Sequence, residues 1–105
     1  MDLELDELKR EFLAEAEEKV REIETAWSAG RTNESLERMS YLAHQLKGSG
    51  GSYGFQQIST EAAALEIALE SLSKENDQGA APKVDQHVTG LHEEIARNAR
   101  MFAER

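Results

Sequence analysis

Ala43-His44-Gln45-Leu46-Lys47-Gly48-Ser49-Gly50-Gly51-Ser52-Tyr53-Gly54-Phe55 holds four of the chain's seven glycines and one of its three histidines. The reading of this stretch decides the fold. A phosphate-cradling glycine loop would need a buried strand before it and a helix after it. Upstream, Glu34 to Leu42 has a helical pattern instead. Leu36, Met39, Ala43, Leu46, Gly50 and Tyr53 recur three and four apart, which is one face of an amphipathic helix. The stretch is then the second half of a helix. Its end stays open between two readings: helix continued through Gly50 and Gly51, or a turn begun there.

At about 100° per residue, His44 lies roughly 140° from the centre of that apolar stripe. Glu37, Ser40, Lys47, Gly48 and Gly51 share its side. A glycine inside a helix costs up to about 1 kcal/mol relative to alanine. Gly48 and Gly51 face away from the core, where an alanine would meet no clash. What they provide is a flat surface for another backbone. Ser40, Gly48 and Gly51 are therefore the candidate docking surface around an exposed imidazole with a lysine one turn on.

Working outward, the first helix is expected from about Leu3 to Ala29, with Leu5, Leu8, Phe12, Ala16, Val20, Ile23 and Trp27 on its core face. A break near residue 13 would give a short leading segment. Trp27 reads as a core plug near one end. Gly30 suits a left-handed helix stop and Asn33 an N-cap for the second helix. The third helix runs from near Phe55 to about Lys74 through Phe55, Ile58, Ala62, Leu65, Leu69 and Leu72, with Ala63, Ala64 and Ile67 broadening the face. A polar connection, residues 75–81, leads to Pro82 in the first turn of a fourth helix carrying Val84, Val88, Leu91, Ile95 and Phe102. The expected fold is all-α: one domain, residues 1–105, an antiparallel four-helix bundle with room for a short extra helical segment.

Composition narrows the function classes. The net charge of -9 argues against nucleic acid and anionic lipid and for a protein partner. No apolar run is long enough for a membrane span. The acidic N-terminus does not read as a signal or transit peptide, and zero cysteines fit a reducing compartment, so a cytoplasmic location is expected. Metal binding is not expected, because Glu-x-x-His and His-Glu-x-x-His are both absent. His87 and His92, five apart, read as surface histidines.

His44-Gln45-Leu46-Lys47-Gly48-Ser49, with Gly54 ten residues after the histidine, resembles the signature of histidine-containing phosphotransfer (HPt) domains. The run Gly50-Gly51-Ser52-Tyr53-Gly54-Phe55 is similar to that of the phosphotransfer domain of chemotaxis-type histidine kinases. The resemblance implies a phosphocarrier in a two-component phosphorelay, with His44 as phosphoryl acceptor and Lys47 supporting the phosphate. It implies no catalytic activity of the chain's own, though the chain could be part of a histidine kinase. The implied partners are a response-regulator receiver domain and a histidine kinase, with Mg²⁺ supplied by the partner and no cofactor on this chain, expected to be a monomer. In an antiparallel hairpin turning near Gly54, Glu66 falls level with His44. The resemblance makes it the glutamate that holds Nδ1 and orients the imidazole. Two other classes stand beside this reading. One is a catalytically silent interaction bundle, and the other is a nucleotide-binding enzyme using the glycine cluster.

Overall fold

Residues 3–29 contain no glycine or proline, and in the computed structural model, which describes residues 3–104, they form one unbroken helix, α1 (Leu3–Ala29). The run Phe12-Leu13-Ala14-Glu15-Ala16 is made mostly of good helix formers, so there is no break near residue 13. α2 (Asn33–Ser52), α3 (Gln56–Lys74) and α4 (Ala81–Ala103) follow. The extra helical segment is a short 3₁₀ turn instead, Gln78–Ala80, where the Asp77 carboxylate accepts the Gly79 N–H at 3.0 Å. α1 packs on α2 and α4, and α3 on the same two helices, closing an antiparallel four-helix bundle about 48 Å long and 21 by 19 Å across. Among the described residues no helix is long and apolar enough to cross a membrane.

The core follows the periodicity with informative exceptions. Met39, Leu46, Ile58, Leu65, Val84, Leu91 and Ile95 are wholly buried, and the described residues bury no polar or charged side chain. Leu5 and Leu8, expected on the core face, are 39% and 45% exposed. The bundle ends at the level of Phe12, whose ring lies 5.4 Å from Tyr53 and 5.6 Å from Phe55. On the turns before Phe12 the contacts to the rest of the bundle are polar, with Arg10 donating to the Phe102 carbonyl at 3.3 Å, and Leu13 joins the core. Ile67 does not broaden the α3 face either. It lies about 200° round the helix from Leu65 and from Leu69, and is 67% exposed; Ala68 is buried instead. Trp27 is half-buried against the core, its indole N–H donating to Asp85 on α4. The N-cap of α2 is Thr32, not Asn33: its hydroxyl accepts the Ser35 N–H at 3.1 Å.

The opening stretch stays helical through Gly50 and Gly51 and ends in a Schellman motif. The Phe55 N–H bonds to the Gly50 carbonyl at 2.7 Å and the Gly54 N–H to the Gly51 carbonyl at 3.1 Å. That geometry requires a positive φ at Gly54, which has +83°. The turn reverses the chain into α3 and sets the register of the α2–α3 pair.

Candidate functional site

At Gly50 the backbone of α2 comes close to α3 at Ser59. A Cβ on Gly50 would stand 3.3 Å from Ile58 Cγ2 and 3.3 Å from the Ser59 backbone nitrogen. Alongside, the Ser59 hydroxyl donates to the Lys47 carbonyl at 2.9 Å. From this contact and the turn at Gly54 the two helices run antiparallel, and His44 arrives opposite Glu66.

Glu66 is the centre of the site. Its Oε2 lies 3.1 Å from His44 Nδ1 and its Oε1 lies 2.8 Å from Lys47 Nζ, so one carboxylate bridges both side chains. The Glu66 side chain is 23% exposed, against 68% for His44. Burial by itself would raise the Glu66 carboxyl pKa. The hydrogen bonds from Lys47 and His44, with the charges behind them, outweigh burial and hold it below its ordinary value. An ionised carboxylate can only accept, so His44 Nδ1–H is the donor and Nε2 of the neutral ring keeps a free lone pair.

This pairing carries a pH signature. A lowered folded pKa gives stability that is present above the ordinary carboxyl value of 4.5 and lost as pH falls through the lower folded value. Glu66→Gln should cost about 1 kcal/mol in urea denaturation at neutral pH. The gap from wild type should close in acid, where Glu66 is protonated. A gap that stays constant down to about pH 2 would assign the loss to shape and not to charge.

All three histidines have Nδ1 within hydrogen-bond distance of a glutamate carboxylate on a neighbouring helix: His44 with Glu66, His87 with Glu61 at 2.9 Å and His92 with Glu24 at 3.2 Å. The pairing alone therefore does not single out His44. His87 is not the surface residue expected; its side chain is 23% exposed, packed between α3 and α4 where Gly90 leaves room for the Glu61 carboxylate. His92 is exposed, but its ion-pair partner is Glu24 and the residue after it is Glu93, and no lysine shares its carboxylate. Only His44 combines exposure, a lysine on the same carboxylate and bare backbone beside it.

The candidate docking residues sit as the helical wheel places them. Gly48 is exposed, and a Cβ there would meet nothing within 4 Å. Gly51 is exposed and would meet only Ser59 Oγ, at 3.6 Å. Ser40 is half-buried beside Glu66. One residue of this region, Ser59, carries no signal in the sequence. Ser59 is an ordinary polar residue of α3 until the glycine opposite brings α2 against it. Ile67 was assigned to the core, although its wheel position points outward.

Compared with known families, residues 7–98 match the model of the Hpt domain. No curated protein and no solved structure matches the chain.

Proposed function

The chain belongs to the Hpt domain family, and from this membership we propose that it is a phosphocarrier whose acceptor is His44, exchanging a phosphoryl group with a receiver-domain aspartate or a histidine kinase. Hpt domains serve phosphotransfer in two-component signalling and carry the group without catalysing its transfer alone. The observation that carries the residue-level reading is the single Glu66 carboxylate shared by an exposed His44 and by Lys47.

In this reading, Nε2 of neutral His44 attacks the phosphorus of the partner's phospho-aspartate. The N–P bond forms as the acyl-phosphate P–O bond breaks, and the aspartate carboxylate leaves with the electron pair. Nδ1 keeps its proton, and Glu66 offsets the positive charge the ring acquires. With a kinase holding ATP, ADP is the leaving group. Lys47 brings a positive charge one helical turn from the phosphoryl group. Phosphoryl transfer depends mainly on positioning and charge stabilisation, and the partner contributes Mg²⁺ and most of that field.

The test uses two donors. Phosphoramidate, small enough to need no docking surface, should place an acid-labile phosphate on His44, located by mass spectrometry. A catalytically silent bundle would take no label on His44 from a phosphorylated receiver domain. Gly48→Gln should keep or slightly raise the melting temperature, through a helix propensity gain of up to about 1 kcal/mol. Its transfer from a phosphorylated receiver domain should fall far more than its labelling by phosphoramidate. Equal falls with both donors would remove Gly48 from the docking surface.

A further inference from the structure

Lys47 is tied to α3 at both of its ends. Its carbonyl accepts the Ser59 hydroxyl at 2.9 Å, and its Nζ lies 2.8 Å from Glu66 Oε1. Ser59 and Glu66 stand about two helical turns apart on one face of α3. As the phosphate-supporting residue that the family resemblance implies, Lys47 would bond the phosphoryl group. In the structure its ammonium bonds Glu66. That carboxylate faces His44 Nδ1, whereas the phosphoryl group would form on Nε2, the nitrogen that faces away.

The two oxygens of Glu66 are divided between two donors, Oε1 to Lys47 and Oε2 to His44. A carboxylate held at one oxygen can turn about its last bond and face water. Held at both, it presents each oxygen in a fixed place. Burial pushes the Glu66 pKa up; the hydrogen bond from Lys47 opposes it most, ahead of the one from His44. The tautomer of a neutral imidazole follows from the hydrogen bond that its ring nitrogens make. An ionised acceptor fixed at Nδ1 keeps the proton there and leaves Nε2 its lone pair.

We propose that Lys47 is a positioning residue for the phosphoryl acceptor: by holding Glu66 Oε1 it turns Oε2 to His44 Nδ1 and fixes the tautomer that leaves Nε2 free to attack. The proposal rests on the phosphocarrier reading for the use made of Nε2. Lys47 acts on the ring through Glu66, without touching the reacting atoms. The pairs at His87 and His92 lack this brace, since among the described residues their carboxylates, Glu61 and Glu24, take no lysine. Without Lys47, a carboxylate mostly out of water loses a charged partner, and the ring loses a fixed acceptor. The neutral imidazole then divides its proton between both nitrogens, and the fraction with a nucleophilic Nε2 falls.

Ring-nitrogen NMR of the full chain, isotope-labelled at histidine, reads the tautomer directly. At about pH 9, where an imidazole is neutral, wild-type His44 should be mainly in the Nδ1–H form. Lys47→Met should move it toward the Nε2–H form. Glu66→Ala should move it at least as far, and the double variant no further than Glu66→Ala. Lys47→Arg, which can bond the same carboxylate, should restore the wild-type signal. The rings of His87 and His92 should not respond. The rate at which phosphoramidate labels His44, mapped by mass spectrometry, should fall in Lys47→Met by up to about five-fold, the effect of one surface ion pair. It should recover in Lys47→Arg. A slower rate with an unchanged tautomer would put Lys47 on the phosphoryl group and overturn the proposal. So would a shifted tautomer with an unchanged rate, or a double variant shifted beyond Glu66→Ala. A wild type that takes no phosphate on His44 from a phosphorylated receiver domain would overturn the phosphocarrier reading instead. The tautomer measurement decides the coupling of Lys47 to His44 in either case.

Discussion

His44→Gln will take up no acid-labile phosphate from a phosphorylated receiver domain, and its melting temperature will stay within a degree or two of wild type. The loss is complete because the amide nitrogen of glutamine has no lone pair free to attack phosphorus. Stability is kept because the side chain removed is 68% exposed and its one charged contact is with Glu66, which retains Lys47 at 2.8 Å. An exposed pair of this kind contributes about 0–1 kcal/mol. The other two histidines do not rescue uptake. His87, 23% exposed and tied to Glu61, presents little surface to a docked partner, and His92 has Glu24 at 3.2 Å with no lysine on that carboxylate. Substantial label in His44→Gln, mapped by mass spectrometry to either residue, would show that Nδ1 pairing with a glutamate suffices and that Lys47 and the glycines do not decide the acceptor.

Gly50→Leu will have the largest effect on stability of any single change at the glycines, lowering the melting temperature by about 15 °C, equivalent to about 3 kcal/mol of overpacking. Already the first side-chain carbon would lie 3.3 Å from Ser59 backbone nitrogen and 3.5 Å from the Phe55 carbonyl oxygen. Backbone cannot swing aside as a side-chain tip can, so α2 and α3 must separate. Gly48→Ala, two residues away, will move the other way, since it gains helix propensity and its Cβ meets nothing within 4 Å. Thermal melts of the two variants side by side decide the matter. If Gly50→Leu melts like wild type, the close approach of the helices is not set by this residue. Because the same approach holds Glu66 opposite His44, the Gly50 variant should also lose the Glu66-dependent part of its acid response.

Much of this was legible before any coordinates. Three-four spacing of Leu36, Met39, Ala43 and Leu46 puts them on one face through helix geometry alone, and leaves His44, Gly48 and Gly51 on the other. The motif around His44 pointed to the Hpt family that the match over residues 7–98 establishes. Errors came where periodicity meets the end of something. Leu5 and Leu8 continue the stripe of α1 but are 39% and 45% exposed, beyond the aromatic layer of Phe12, Tyr53 and Phe55. Asn33 lost the cap to Thr32 by one position, because both are good capping residues and only the chain's exit from Gly30 chooses between them. Ile67 is apolar, yet its place between Leu65 and Leu69 on the helical wheel turns it outward.

The sequence by itself determined which segments are helical, which face of each is buried, and that His44 stands outside the core, because these follow from local geometry and the 3.6-residue period. Only the tertiary structure decided that one Glu66 carboxylate serves both His44 and Lys47, that Ser59 ties α3 to the Lys47 carbonyl, and that His87 is half-buried against Glu61. Each of these depends on the relative height and separation of two helices, which is fixed by the Schellman turn at Gly54 and the backbone contact at Gly50. A shift of one residue between α2 and α3 moves a side chain 1.5 Å along the axis and about 100° around it. Such a shift leaves every helical pattern in the sequence unchanged and parts the carboxylate from the imidazole.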